Sequence, residues 1–204
     1  MFIIGITGGT GSGKTTALQA LWDLGARVLD CDAVYHELLE QNVKLGKEIK
    51  KAFGNVTTNG MIDRRKLGDI VFYNETALFK LNKITHKYVA ERLDKYIKEW
   101  SAQGEKLVVI DAIALFESGQ DRSCDLIVGI TAPYEERIKR IIKRDGISRE
   151  QAESRIKAQQ PDGFYIDNCD HILENIYDSP SEFQEACRNY FNGVIGGKND
   201  ADQR

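Results

Sequence analysis

The sequence predicts an α/β protein of three layers, in which helices cover both faces of a five-stranded parallel sheet. Five short apolar runs separated by helical patterns carry this prediction, because parallel strands need crossover connections between them. A glycine-rich loop follows the first apolar run and precedes a helical pattern. A long stretch without strand patterns interrupts the alternation, and an arginine-rich helical pair follows the fourth run. We expect these two segments to be a helical substrate-binding insertion and a helical lid.

The five predicted strands are short apolar runs, most of which end in a polar residue. They comprise residues 2–7, 26–29, 106–110, 125–130 and 171–174. In open α/β sheets, ligands bind beyond the carboxyl ends of the strands. The polar residues at or just after four of these ends are therefore candidates for a site, and they are Thr7, Asp32, Asp111 and Thr131.

The glycine-rich loop predicts that the chain binds phosphate. Residues 8–15 read GGTGSGKT and fit the pattern G-x-x-x-x-G-K-[ST] at each fixed position. Glycines let the backbone turn around an anion, and the N–H groups of the loop and first helical turn then point at phosphate oxygens. Lys14 is expected to reach the β- and γ-phosphates of a nucleoside triphosphate, and the Thr15 hydroxyl to bind Mg²⁺. The alternative is a glycine-rich turn that binds nothing, against which the matched strand and helix argue.

Composition and charge narrow the class of protein. Hydrophobic residues make up 42% of the 204 residues and charged residues 29%, which is typical of a soluble globular protein. The net charge of −3 gives no support for nucleic-acid binding, and no apolar run approaches the ~18 residues of a membrane span. Four cysteines far apart in the sequence predict reduced thiols. We expect small-molecule partners, no nucleic acid, no membrane, and a cytoplasmic monomer or weak homo-oligomer.

The uneven spacing of the strands predicts the domain organisation. Residues 33–105 contain helical patterns at 33–40, 45–53, 64–73 and 75–101, which is too much chain for one crossover. We assign residues 33–105 to an insertion that holds the second substrate. Residues 1–32 and 106–195 then form the nucleotide-binding core, and residues 196–204, which are small and polar, a disordered tail.

The helical pair after the fourth strand is rich in arginine. Arg137, Arg140 and Arg144 share one helix face, because they stand at i, i+3 and i+7. Gly146 ends this helix, and the capping-box pattern at Ser148 opens a second helix. One interpretation is a solvated basic face. The other is a lid, about residues 137–160, that clamps phosphates.

The glycine loop alone does not separate kinases from GTPases, motor ATPases or regulatory modules. A GTPase needs N-K-x-D for guanine, and the nearest string, NKIT at residues 82–85, lacks the aspartate. The chain is also short for a motor ATPase. Its length, the helical insertion and the arginine-rich pair favour a small-molecule kinase with a P-loop kinase fold.

At this point several motifs resemble the dephospho-CoA kinase family. They are TGGTGSGKTT at 7–16, DCD at 30–32, FG at 53–54, GMIDRRKLGDIVF at 60–72 and LNKITH at 81–86. The three arginines named above resemble the family's lid, and Asn175 resembles the asparagine after its last strand. The resemblance runs from residue 2 to about residue 175.

The resemblance implies phosphorylation of the ribose 3′-hydroxyl of dephospho-CoA by ATP with Mg²⁺, the final step of coenzyme A synthesis. It makes Asp32 the group that accepts the hydroxyl proton, and Arg140, with Arg144 next in line, the group that neutralises charge on the transferring phosphate. Lys14 is the third predicted catalytic residue. An N-cap for the following helix is the alternative role for Asp32. The expected ATP contacts are Gly9, Gly11, Ser12, Gly13, Lys14, Thr15, Thr16, Arg144 and Asn175.

The acceptor contacts implied in the same way are Thr7, Asp32, Arg64 and His86, and Asp111 is expected to order Mg²⁺ through water. Each has a structural alternative. Thr7 is otherwise a strand-end hydroxyl bonded to backbone, His86 a packed helix histidine, and Asp111 a loop-capping carboxylate.

The sequence departs from the family pattern near the expected acceptor region. Lys87 follows His86 where the family usually has proline, and DAIALFE at residues 111–117 lacks the family's proline. The alternatives to the implied function are therefore a related kinase that acts on another nucleotide or metabolite, and an ATP-binding regulatory protein.

Overall fold

A computed structural model describes residues 1–72 and 74–202 of the chain, with side chains described as far as residue 198. The chain separates into two compact units, Met1–Val28 with Glu105–Arg204, and Leu29–Gly104. The boundaries expected from the sequence lie at residues 32/33 and 105/106. The functional roles given to the two parts remain predictions.

The strands and helices of the described residues follow one another in the order expected of an α/β chain with a helical insertion. The strands are β1 (Phe2–Thr7), β2 (Arg27–Asp30), β3 (Thr57–Thr58), β4 (Met61–Ile62), β5 (Leu107–Asp111), β6 (Leu126–Thr131) and β7 (His171–Glu174). The helices are α1 (Lys14–Asp23), α2 (Cys31–Gln41), α3 (Val43–Phe53), α4 (Arg64–Val71), α5 (Glu75–Ala102), α6 (Tyr134–Asp145), α7 (Arg149–Lys157), α8 (Asp162–Asn168) and α9 (Pro180–Asp202).

The main sheet confirms the predicted fold class. Within the described chain it has five strands in the order β2-β5-β1-β6-β7, and β1 pairs in parallel with both β5 and β6. In this register Ile6 of β1 lies beside Asp111 of β5 and Val128 of β6. The carboxyl ends of these strands therefore meet at one edge of the sheet, where α/β proteins bind ligands.

The two faces of β1 pack against different parts of the first unit, because side chains alternate along a strand. Ile4 and Ile6 are fully buried in a core cluster with α1 and α9. The helical members of that cluster are Ala17, Ala20, Leu21, Phe183, Cys187 and Phe191. On the other face, a Cβ on Gly5 would lie 2.7 Å from the Cys124 sulfur, so chain also covers this side closely.

The arginine-rich segment forms α6 and α7, and both capping predictions are confirmed. Ser148 and Gln151 make the capping box of α7, and Gly146 ends α6 at a φ of 65°. Ile138 and Ile141 pack with Ala152 and Ile156 in a small core of their own. The sequence did not predict α8, because seven residues after Pro161 are too few to show a helical period.

The second unit is mainly helical. Leu45 and Ile49 are fully buried on α3, and Leu93 on α5, so the amphipathic faces of these helices supply its core. The sequence predicts no strands in this segment. That prediction is wrong, because β3 and β4 form a short antiparallel pair. Two-residue strands around the positive-φ turn of Asn59 and Gly60 are too short to show an alternation. The predicted helix end at residue 73 lies outside the described residues.

The carboxyl-terminal segment differs from the sequence prediction. Helix α9 continues through residues 196–202, where a disordered tail is expected from composition, while residues 203 and 204 lie outside the described chain. Ile195 packs against the core cluster just before the polar segment, so the helix is anchored up to that point. Across the described residues, no helix combines the length and the apolarity that crossing a membrane requires.

Candidate functional site

The glycine loop between β1 and α1 is packed so closely that its glycines have no room for side chains. A Cβ on Gly8 would lie 2.1 Å from the Ile130 carbonyl oxygen, and one on Gly13 would lie 2.3 Å from the Asn175 amide nitrogen. Both glycines also have positive φ angles, 136° and 109°, which L side chains rarely adopt. The loop shape that the motif predicts is therefore built by surrounding atoms as well as by the glycines themselves.

The polar side chains of the loop face inward at the start of α1. The Lys14 ammonium donates to the Gly8 carbonyl at 2.7 Å, which folds this side chain back over the loop. The Ser12 hydroxyl is buried and has no hydrogen-bond partner among the described residues. Thr15, in the first turn of α1, is exposed. A buried hydroxyl without a protein partner, an ammonium and a helix N-terminus are groups that can bind phosphate oxygens.

Arg140 and Asn175 join the loop from two other elements. The Arg140 guanidinium, on α6, donates to the carbonyls of Gly11 and Ser12, both at 3.3 Å, and to the Asn175 side-chain oxygen at 3.3 Å. Asn175 follows β7 and donates through its amide to the Ser12 carbonyl at 2.9 Å. The structure thus brings Arg140, the predicted catalytic arginine, next to Asn175, a predicted ATP contact from a distant part of the chain.

Arg144 lies one helical turn further along α6 and is exposed. Its guanidinium donates to both carboxylate oxygens of Asp145, at 2.7 and 2.9 Å, and to the Thr10 hydroxyl at 3.4 Å. This hydrogen bond to Asp145 is the main reason why the pKa of Arg144 is raised and that of Asp145 is lowered. Arg155 of α7 also pairs with Asp145. Arg144 is therefore charged and close to the loop.

The side chain of Arg137 is buried, unlike those of the other two arginines on its helix face. The sequence pattern did not predict this burial. Its side chain is almost fully buried, donates to the Thr10 carbonyl at 3.0 Å, and pairs with Asp162 of α8 at 2.6 Å. The interpretation as a solvated basic face is therefore wrong for Arg137, and the interpretation as a phosphate-clamping lid stays a prediction. A Cβ on Gly9 would lie 2.1 Å from one Arg137 nitrogen, so the guanidinium is stacked directly against the loop. Arg137 supports the loop and ties it to α8.

A cavity of about 430 Å³ opens beside the loop, within the size range of small-molecule sites. Tyr177 is the aromatic side chain among its walls, and it was not singled out from the sequence. Because the cavity starts at the first turn of α1, it can hold the nucleoside part of a triphosphate whose phosphates lie in the loop. Its walls are Gly13, Thr16, Arg140, Lys143, Arg144, Asn175, Tyr177, Asp178, Ser179 and Pro180.

The strand ends of the first unit carry Thr7 and Asp111. Thr7 is fully buried, and its hydroxyl donates to the Ile113 carbonyl at 3.2 Å. This favours its alternative role, a strand-end hydroxyl satisfied by backbone, over direct contact with an acceptor. Asp111 ends β5 beside Ile6 and is half-buried. A carboxylate at this edge of the sheet can bind a cation that accompanies the phosphates.

The second unit carries the other predicted acceptor residues. Asp32 is exposed in the first turn of α2, and the N-cap of that helix is Asp30, whose carboxylate accepts from the Ala33 N–H at 2.9 Å. The alternative role of Asp32 as the cap is therefore wrong. Arg64, exposed at the start of α4, partly offsets the burial that raises the pKa of Tyr35. His86 is half-buried on α5.

Thr15 and Asp111 are the residues that fit Mg²⁺. Within the described part of the chain, three or more His, Cys, Asp or Glu residues never cluster in a way that could hold a metal on their own. Mg²⁺ at nucleotide sites does not need such a cluster, because water and phosphate oxygens complete its shell around one or two protein oxygens. A threonine hydroxyl and a carboxylate are donors of this type.

The chain is similar to known proteins over most of its length. The family model described as dephospho-CoA kinase matches residues 2–180. The dephospho-CoA kinase of Carboxydothermus hydrogenoformans is 38% identical over 175 residues, which is 85% of each chain. That of Fusobacterium nucleatum is 41% identical over 177 residues, or 86% of this chain and 90% of the relative.

Solved structures give the same result. The protein TT1252 from Thermus thermophilus superposes with a TM-score of 0.78 at 32% identity, covering 96% of this chain and 97% of that one. Dephospho-CoA kinase from Campylobacter jejuni gives 0.70 at 26% identity, covering 96% and 98%. Shikimate kinase from Acinetobacter baumannii, at 0.53 and 16% identity, shares the fold, with 97% and 95% covered. The chain belongs to the dephospho-CoA kinase family.

Proposed function

We propose that this protein transfers the γ-phosphate of ATP to the ribose 3′-hydroxyl of dephospho-CoA, giving ADP and coenzyme A. The family match over residues 2–180 carries the proposal. The phosphate-binding loop supports it, because Lys14, the unpaired Ser12 hydroxyl and Arg140 converge on a place where a triphosphate fits. Phosphoryl transfer depends mostly on positioning and on neutralising charge, and this arrangement supplies both.

In the proposed reaction, loop N–H groups and Lys14 hold the β- and γ-phosphates. The acceptor 3′-oxygen forms a bond to the γ-phosphorus, the bond from that phosphorus to the β–γ bridging oxygen breaks, and ADP leaves. Arg140 and Arg144 offset the negative charge of the transferring group. Arg140 is held by three carbonyl or amide oxygens, which keeps its guanidinium in place before the substrates bind.

The proton of the attacking hydroxyl goes to the Asp32 carboxylate. Asp32 suits this role because Asp30 already caps α2, which leaves the Asp32 carboxylate exposed and available for a ligand. Arg64 and His86 are the proposed acceptor contacts on the same unit. Positioned carboxylates that accept a proton during transfer contribute about 10²- to 10⁴-fold in rate.

Mg²⁺ is the proposed metal, held by the Thr15 hydroxyl and, through water, by Asp111. When bound, it would supply positive charge that offsets the negative charge developing on the phosphates during transfer. We also propose a cytoplasmic location. The cysteines of the described chain form no disulfide, and reduced thiols persist in that compartment. Fractionation of cells that produce the protein tests this location.

An acceptor panel tests the proposed activity. ADP release is measured with Mg-ATP and dephospho-CoA, AMP, CMP or shikimate, each at several concentrations. We expect turnover with dephospho-CoA at a kcat/KM at least about 100-fold above the other acceptors, because a site that hydrogen-bonds its substrate rejects analogues strongly. A Lys14→Met variant, which keeps the length of the side chain but not its charge, controls for contaminating kinases.

The outcomes separate the proposal from its alternatives. Preferred turnover of AMP, CMP or shikimate would assign the scaffold to another acceptor. ATP binding without turnover of any acceptor would favour a regulatory protein. Either result would overturn the proposed function.

A further inference from the structure

A second cavity, which we call the Tyr165 cavity, lies in the first unit. Its volume is about 390 Å³, and it shares none of its walls with the Tyr177 cavity beside the glycine loop. The proposed reaction has so far given it no role. Its walls are Ile113, Ala114, Glu117, Ala158, Gln159, Gln160 and Tyr165.

Two hydrogen bonds connect the walls of this cavity to the phosphate-binding loop and to the strand that precedes it. Gln159 accepts from the Thr10 N–H of the loop at 2.7 Å. Ile113 accepts at its carbonyl from the Thr7 hydroxyl, at the end of β1, at 3.2 Å. A ligand in this cavity would therefore lie beside residues that contact the phosphate-binding loop and the end of β1, which favours the reacting end of a substrate.

The Tyr165 hydroxyl is the unusual feature of this cavity. Tyr165 is 1% exposed, and its hydroxyl has no hydrogen-bond partner among the described residues. Burial, and next the charge of Glu117, raise the pKa of this group to about 12, so it carries its proton at neutral pH. An unpaired buried hydroxyl costs stability, so its retention is explained if a ligand supplies the missing partner.

The cavity walls indicate the chemistry of the ligand. Glu117 is their one charged group, and a carboxylate disfavours phosphate. The same carboxylate accepts from the Gln160 amide at 2.9 Å and has free lone pairs for another N–H donor. Ile113, Ala114 and Ala158 supply apolar surface. A neutral, flat group that carries an amine beside a ring nitrogen suits these walls, since Glu117 can accept from the amine and Tyr165 can donate to the nitrogen.

We propose that the Tyr165 cavity binds the adenine base of the acceptor, with Tyr165 and Glu117 as the residues that recognise it. The proposal rests on the proposed function. Of the neutral parts of dephospho-CoA, adenine is the one attached to the ribose that carries the reacting hydroxyl. The amides of the pantetheine arm lie beyond the diphosphate, so a cavity linked to the phosphate-binding loop favours the base.

A Tyr165→Phe variant tests the proposal, with Tyr190→Phe as the matched control. The first change deletes only the unpaired hydroxyl. We expect the KM for dephospho-CoA to rise about tenfold, with the KM for ATP unchanged, because one hydrogen bond to the ligand is lost. The melting temperature should stay the same or rise. Tyr190 stacks on His171 at 4.3 Å, away from both cavities, and its variant should change neither KM.

A structural role for the hydroxyl predicts the opposite pattern. If it supported the fold, Tyr165→Phe would lower the melting temperature and change both KM values together, which would overturn the proposal. An unchanged KM for dephospho-CoA would also overturn it. Glu117→Gln gives an independent check, and we expect a rise of several-fold in the same KM.

Binding of AMP separates the base from the pantetheine arm. Calorimetric titrations use protein whose donor site is filled with a non-hydrolysable ATP analogue. We expect Tyr165→Phe to weaken AMP and dephospho-CoA by the same factor. A loss confined to dephospho-CoA, or a wild-type protein that binds dephospho-CoA but not AMP, would place the arm in the cavity and overturn the proposal. If the wild-type protein transfers no phosphate, the proposed function fails, while these titrations still report on the cavity.

Discussion

The phosphate-binding loop and the second unit present their functional groups in different ways. In the loop, Gly8 and Gly13 have no room for a Cβ, and Arg140 is held by several oxygen acceptors. In the second unit, Asp32 and Arg64 are exposed. The glycines of the two regions also differ in the space around them. Gly46 and Gly68 of the second unit have room for a Cβ, whereas Gly8 and Gly13 of the loop do not.

This difference shows where the molecule is preorganised. A phosphate site built from fixed donors needs no reorganisation when charge develops, which favours rate. Exposed groups are open to contact with a ligand, which suits the role proposed for the second unit in binding the second substrate. Changes in the loop should therefore affect folding and ATP binding, whereas changes in the second unit should affect turnover with the fold intact.

The largest expected effect is that of Gly8→Ala. The new Cβ would meet the backbone oxygen of Ile130 at 2.1 Å with an unfavourable φ, so we expect the free energy of unfolding to fall by more than about 4 kcal/mol, or no folded protein. Gly46→Ala, inside α3 and in open space, is the control, and it should stabilise by about 0.5–1 kcal/mol. Urea unfolding of both variants measures this. Equal stabilities would contradict the comparison.

Next comes Asp32→Asn in the second unit. We expect kcat to fall about 10²- to 10⁴-fold with no change in stability, because the variant loses the proton acceptor but no helix cap. Asp30→Asn is the matched control two residues away, since asparagine caps a helix as well as aspartate does. Steady-state kinetics and thermal melts of both variants check this. Comparable kcat losses in the two variants would contradict the assigned roles.

Arg137→Met tests the support of the loop. It removes a buried guanidinium that bonds Thr10 and Asp162, so we expect a loss of about 2–3 kcal/mol and a higher KM for ATP. Arg149→Met is the control, because its ion pairs with Glu135 and Glu153 are exposed to solvent and should contribute little to stability. Denaturant unfolding gives the values. A larger loss of unfolding free energy for Arg149→Met than for Arg137→Met would contradict the prediction that the buried arginine stabilises the fold more than the surface arginine does.

The smallest effect expected is on alkaline stability. Burial raises the pKa of the Cys187 thiol from 9.0 to about 12, so the folded state keeps a proton that the unfolded chain releases above pH 9. The contribution of this thiol to the free energy of unfolding is therefore fully present below pH 9. It is lost, by about 1.4 kcal/mol per pH unit, as the pH rises towards 12. The rise of the Tyr88 pKa to about 12 in the second unit acts only above pH 10.

Unfolding at pH 8, 9 and 10 checks this expectation. The wild-type free energy of unfolding should fall between pH 9 and 10, and Cys187→Ala should reduce that slope whatever its own effect on stability. An unchanged slope in the variant would show that Cys187 ionises as it does in the unfolded chain.

Much of the fold and of the phosphate site could be predicted, because the signals are local. The apolar runs gave β1 and β7 with their observed bounds, and the loop pattern specifies both glycine positions and the helix that follows. Gly146 and Ser148 are capping signals of a few residues. Such features depend on backbone geometry that neighbouring residues impose.

The parts that could not be predicted depend on packing between distant segments. A helical pattern does not distinguish Arg137 from Arg140 and Arg144. Arg137 is buried because its side chain packs against the loop. The Tyr165 cavity is formed by segments about forty residues apart in the chain. A sequence pattern carries no signal for such contacts.

The most direct test of the account is to identify the product made from dephospho-CoA. Purified protein is incubated with Mg-ATP and dephospho-CoA, and the product is analysed by mass spectrometry and phosphorus NMR. The account predicts the mass of coenzyme A and a phosphomonoester coupled to the ribose 3′ proton, with the signal lost in Lys14→Met. Unchanged dephospho-CoA in the presence of bound ATP, or phosphate on another oxygen, would contradict it.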